Sequence, residues 1–156
     1  MIRVVLTVAV AVALLAASMP ALETARVTTT TERLDSEVDD IERAVARVVS
    51  GSVAVADPSL AARTSATVRV PRGITAASIG QIALVEIDDP RPDVSVALRY
   101  RTVGGRDRFL PLRVEMVPAK IQLATGRIDL RPGGESRLEL RYVDDGGPTV
   151  RITRVG

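Results

Sequence analysis

Histidine, cysteine and tryptophan are absent from this chain of 156 residues. Without cysteine there are no disulfides, thiolate metal sites or cysteine nucleophiles. Without histidine, the commonest general base, zinc ligand and triad partner is missing. Aromatics make up 2 %, namely Tyr100, Phe109 and Tyr142, so stacking platforms for single-stranded nucleic acid are lacking. Lysine is scarce too: of 21 Lys+Arg, only Lys120 is a lysine. The arginines alternate with acids and form no basic block, which argues against a nucleic-acid partner. No glycine run opens a helix ahead of a Lys-Ser/Thr pair, so there is no phosphate loop. This inventory predicts a protein that is not an enzyme, with no catalytic residues, no cofactor-binding residues, no metal ligands and no cofactor.

The feature that is abundant is local. Val4 to Leu22 reads VVLTVAVAVALLAASMPAL, nineteen residues without a charge, just behind Arg3. As a helix it is roughly 28 Å long, close to the thickness of a hydrocarbon core. Only Thr7 and Ser18 break its apolar character, and Pro20 sits near its far end, where a kink costs little. Two readings fit. One is a retained transmembrane helix. The other is a secretory signal peptide, with Met1-Ile2-Arg3 as its basic start and Ala16-Ala17-Ser18 as a small-residue cleavage site. Arg3 ahead of the span puts the N-terminus in the cytoplasm and the C-terminal domain outside. A cleaved leader exports the remainder as well. The expected localisation is therefore the cell membrane, single pass.

A second pattern follows. Leu34, Val38, Ile41, Val45 and Val48 recur at steps of four and three, the seam of an amphipathic helix. From Glu32 to Arg47 there are six acids and three arginines, a net of −3, with the acids early and Arg43 and Arg47 late, as a helix dipole favours. Thr29 followed by Glu32 fits a capping box that would start a new helix. Equally, one helix could run through from the apolar segment. Gly51 is the expected stop. The seam suits packing on the chain's own sheet. It also suits docking on other protein subunits, a homo-oligomer among them, although two heptads are fewer than a coiled coil usually needs.

Beyond Ser50 the period changes to two. Ala66, Val68 and Val70 alternate with polar residues and end at Pro71. Ile79–Ile87 is more uniformly apolar. Val94, Val96, Leu98 and Tyr100 share a face, and Gly104-Gly105 turns into Arg108–Leu112. Arg113–Val117 extends that pairing. Leu138, Leu140 and Tyr142 alternate with Arg137, Glu139 and Arg141, and the chain ends in a strand over Thr149–Val155. The expected fold class is α+β: a transmembrane helix (1–27), an amphipathic helix (28–51), a linker (52–65), and an antiparallel β-sheet or small β-sandwich of about seven short strands (66–156). The paired acids Asp88-Asp89 and Asp144-Asp145 could bind calcium through oxygen ligands, but each adjoins Pro or Gly, where Asp is a good turn residue.

The opening MIRVVLTVAVAVALLAASMPALE, the heptad helix and the sheet that follows resemble the plan of type IV pilins and pseudopilins. The same opening, the preference for Arg over Lys and the strand segment Ala66–Arg72 are also similar to a set of short membrane-anchored haloarchaeal proteins. The glycine-bearing prepilin cleavage site and the early glutamate of pilins have no counterpart in this sequence. The resemblance implies a non-enzymatic, membrane-anchored, pilin-like subunit or accessory protein of a cell-surface or secretion assembly. The alternative is a secreted β-sandwich binding module.

Overall fold

The computed structural model describes residues 2–91, 94–113 and 118–156. It opens with one continuous helix, α1, over Ile2–Ser50. No glycine precedes Gly51, and the single internal proline is Pro20. Of the two openings left possible by the sequence, the uninterrupted helix is the one formed, and Thr29 sits inside it instead of capping a new one. The threonine run is accommodated because its hydroxyls bond back one turn. Thr28 donates to the Thr24 carbonyl at 3.0 Å, Thr30 to Arg26 at 2.8 Å and Thr31 to Val27 at 3.0 Å. α1 ends where expected, at Gly51, whose N–H closes on the Arg47 carbonyl at 3.2 Å.

Among the described residues eight strands follow. They are β1 (Ala62–Arg69), β2 (Ile79–Arg91), β3 (Val94–Thr102), β4 (Asp107–Leu112), β5 (Lys120–Leu123), β6 (Arg127–Asp129), β7 (Glu135–Asp144) and β8 (Pro148–Arg154). They form two four-stranded sheets, ordered β1-β7-β8-β5 and β4-β3-β2-β6. The fold is thus α+β, with one long helix and a two-sheet sandwich. The expected hairpin across Gly104-Gly105 is present, with Leu98 opposite Leu110 and Tyr100 opposite Arg108. Alternation is clear in β7, where Ser136, Leu138, Leu140 and Tyr142 point inward. The core is aliphatic apart from Tyr100 and Tyr142, in keeping with the composition.

Several details differ from the sequence reading. β1 starts at Ala62, inside the stretch read as linker, because β7 is long enough to pair with all of it, down to Ala62 opposite Tyr142. β5 has no counterpart in that reading. It has four residues with only Ile121 and Leu123 buried, too short a period-two signal to separate from loop. It also pairs with β8 in parallel, so the first sheet is mixed and not purely antiparallel. The sequence of Asp88–Pro92 suits a turn, but Asp88 lies in β2; Pro92, and Val114–Val117 of the expected extension, lie outside the described residues.

The sandwich has two long margins, and each is closed differently. At one, the chain passes from β5 in one sheet to β6 in the other through Ala124–Gly126, where Gly126 takes a φ of 70°. Glu86 of β2 accepts the Leu123 N–H at 2.8 Å, and Ser95 of β3 donates to the Ile121 carbonyl at 3.0 Å. At the other margin the edge strands β1 and β4 are both covered by the second half of α1, which also touches β7. Covering the edges removes two templates for aggregation.

Candidate functional site

Two features of α1 make it the candidate site. The first is its projecting half. No residue from Arg3 to Ala25 is buried or even half-buried. Its large side chains range from 51 % exposed at Val10 to 69 % at Leu15 and Met19. This is not a stripe awaiting one partner helix, because apolar residues cover the whole circumference. Burying a side chain of this kind is worth about 1.5–3 kcal/mol, so ten of them half-exposed leave on the order of 10 kcal/mol unclaimed in water. That is comparable to the whole stability of a typical domain, about 5–15 kcal/mol. A helix with this surface is long and apolar enough to cross a membrane, and a signal sequence passes the same test.

The polar atoms of the projecting half are arranged as lipid requires. Thr7 donates to the Arg3 carbonyl at 2.9 Å, and Ser18 to the Leu14 carbonyl at 2.5 Å. Each hydroxyl in the apolar run is thereby satisfied within the helix, where no water would be available. Pro20 supplies no N–H to the carbonyl one turn back, but it lies near the far end of the apolar run.

The second feature is the docked half. From Thr30 onward one face is buried: Thr30, Leu34, Ile41, Ala44 and Val45 are fully covered, and Val38 and Val48 nearly so. All five seam residues marked by the sequence, Leu34, Val38, Ile41, Val45 and Val48, therefore pack on this chain's own strands. The sequence reading missed the polar groups that fix this docking. Thr30 accepts the Ala77 N–H at 2.8 Å while donating to Arg26. Thr31, whose proton goes to the Val27 carbonyl, accepts the buried Tyr100 hydroxyl at 2.9 Å. Glu37 accepts the Arg69 N–H of β1 at 2.7 Å, and Glu42 accepts the N–H of Arg113, just past β4. One carboxylate of α1 thus accepts an N–H at the covered edge of each sheet. Partial burial raises the carboxyls of both glutamates above their ordinary range, and the two amide bonds only partly offset this. The threonine run marks the place of the first two contacts, and nothing in the local sequence pattern marks those of Glu37 and Glu42.

The paired acids behave as turn and strand residues. Asp144 accepts the Gly147 N–H at 2.9 Å, and Asp145 pairs with Arg151 at 2.7 Å, beside Gly146 and Gly147 with positive φ. Asp88 stands in β2. Among the described residues no three acids converge as metal ligands. Elsewhere on the surface, Arg101 grips Asp107 with two bonds of 2.8 Å and holds that carboxyl below its ordinary range.

Compared with known proteins, the chain matches one family over residues 1–155, and so belongs to it: Domain of unknown function (DUF7311). No curated protein and no solved structure matches it. A long apolar N-terminal helix followed by β-sheets is a pilin-like layout.

Proposed function

With membership of a family that carries no assigned activity as the premise, we propose that the protein is a single-pass, membrane-anchored, non-enzymatic subunit or accessory protein of a cell-surface or secretion assembly. The N-terminus is cytoplasmic and the β-sandwich stands outside. The observation that carries this reading is the division of α1: one half has no surface suited to water, and the other is bolted to the sandwich. A helix that is continuous across both halves holds the body at a fixed distance and angle from the bilayer, which is what an assembly subunit needs. Contacts with other subunits would use the projecting half or the outer faces of the sheets, since the chain's own strands occupy the seam from Leu34 to Val48.

A secreted module with a cleaved leader is the second reading. It is favoured by one fact: cutting after Ser18 would remove nothing that the body packs against, because packing starts at Arg26. Against it, Ala16-Ala17-Ser18 lie in mid-helix, whereas a peptidase takes an extended segment.

Carbonate washing of membranes, followed by determination of the mature N-terminus, separates the two. Retention in the washed pellet with the apolar run intact supports the anchor. Release with a new N-terminus near Met19 supports the secreted module.

A further inference from the structure

The sandwich has two ends, and they differ in charge. At the end where α1 leaves the body, three loops meet. The Pro71–Ser78 loop is tied to the helix by the Ala77 N–H on Thr30 at 2.8 Å. The Thr102–Arg106 turn follows Tyr100, itself bonded to Thr31, and Val103 donates to the Ser78 carbonyl at 2.8 Å. The Arg131–Gly134 turn joins them through the Val70 N–H on the Gly134 carbonyl at 2.9 Å. These loops contain Arg72, Arg106 and Arg131 and no acid. They also carry Ile74 and Val103, 86 % and 73 % exposed. The opposite end, where α1 stops, carries Asp57, Asp144 and Asp145.

The helix sets how far the basic end stands from lipid. Thr30 is eight residues past Leu22, about 12 Å along the axis. A headgroup layer is roughly 5–8 Å thick. The difference is within reach of an arginine stem once the helix takes an ordinary tilt.

We propose that this end of the sandwich is a lipid-docking surface. Arg72, Arg106 and Arg131 bind the phosphates of anionic headgroups in the bilayer that α1 spans, and Ile74 and Val103 enter the interface beside them. The guanidinium groups suit the phosphates of anionic headgroups in the outer leaflet, which the body faces, and an exposed apolar tip flanked by arginines is the composition of an interfacial contact. The inference rests on the retained-span reading, and the test separates the two.

The chain has no tryptophan, so one introduced residue reports alone. Full-length Ile74→Trp, Leu60→Trp and Leu15→Trp are each reconstituted in vesicles of phosphatidylcholine, with and without phosphatidylglycerol. Leu60 is a control, 75 % exposed in the connection between α1 and β1. On anionic vesicles Ile74→Trp should emit at shorter wavelength and lose most of its quenching by acrylamide, while Leu60→Trp should not change. Adding Arg72→Gln, Arg106→Gln and Arg131→Gln, all at exposed positions or in turns, should abolish the shift. Brominated acyl chains should quench Leu15→Trp in both compositions. If Leu15→Trp is quenched but Ile74→Trp stays as open to acrylamide as Leu60→Trp, the docking surface is refuted and the span stands. Shielding of Ile74→Trp that persists on neutral vesicles and survives the three substitutions also refutes it. If bromolipid does not reach Leu15→Trp, span and docking fall together.

Discussion

The two halves of α1 share a backbone and almost nothing else. Residues 3–25 are exposed on every side, while residues 26–50 bury a stripe, flank it with Glu37 and Glu42 on the sheet edges and leave Glu32, Asp35, Asp39 and Asp40 exposed. The helix does not break between them; the threonines at the junction bond back along it and then outward to Ala77 and Tyr100. A boundary between two kinds of helix surface therefore need not coincide with a boundary between elements. It lies where an apolar circumference becomes an apolar stripe.

The comparison breaks most visibly if a charge is placed in each half. Ile41→Asp buries a carboxylate at a fully covered site and should cost at least about 3 kcal/mol, enough to unfold much of the body. Leu14→Asp should leave the melting of the body in detergent unchanged but cost insertion about 2.5–3.5 kcal/mol. Circular-dichroism melts and carbonate retention read the two effects separately. If Leu14→Asp also melts the body, the halves are not independent.

A smaller effect tests the junction. Thr31→Val leaves the buried Tyr100 hydroxyl without its partner and should cost about 1–3 kcal/mol. Adding Tyr100→Phe should recover most of that loss, because no unpaired hydroxyl remains. Equal losses in the single and double variants would mean that the contact contributes nothing.

The smallest expected effect concerns the glutamates that cap the sheet edges. Glu37 and Glu42 are raised by burial, so between the ordinary carboxylate value and the raised one the folded state binds more protons than the unfolded state. Their contribution to stability is therefore fully present below the ordinary value and is lost as pH rises through the raised one. Asp107 and Asp57, which are lowered, act in the opposite sense at more acid pH. Glu37→Gln with Glu42→Gln keeps an acceptor oxygen for each N–H and should remove the downward slope of stability in mildly acid buffers. A denaturant titration at several pH values measures it, and an unchanged slope would assign the pH dependence to other groups.

Much of this was legible in the sequence where one periodicity ran long enough. The apolar run and the seam from Leu34 to Val48 stood out, as did β7, where inward and outward residues alternate, and the hairpin of β3 and β4 across Gly104-Gly105. The continuity of α1 did not, because Thr29 and Glu32 satisfy a capping pattern that tertiary contacts override. β5 escaped notice because Ile121 and Leu123 give only two inward positions, and its parallel partner β8 comes after two further strands. The docking contacts were invisible for a simpler reason. Glu37 meets Arg69, and Glu42 meets Arg113, across 32 and 71 residues of chain, and local pattern carries no information over that distance.

The central claim is that α1 lies in lipid up to the junction and in water beyond it. Because the chain has no cysteine, a single introduced thiol reports its own surroundings. Leu15→Cys and Leu60→Cys should be treated in intact cells with a membrane-impermeant maleimide. The account predicts that Leu60→Cys is labelled from outside and that Leu15→Cys reacts only after detergent is added. Labelling of Leu15→Cys without detergent, or of Leu60→Cys only after lysis, would contradict it.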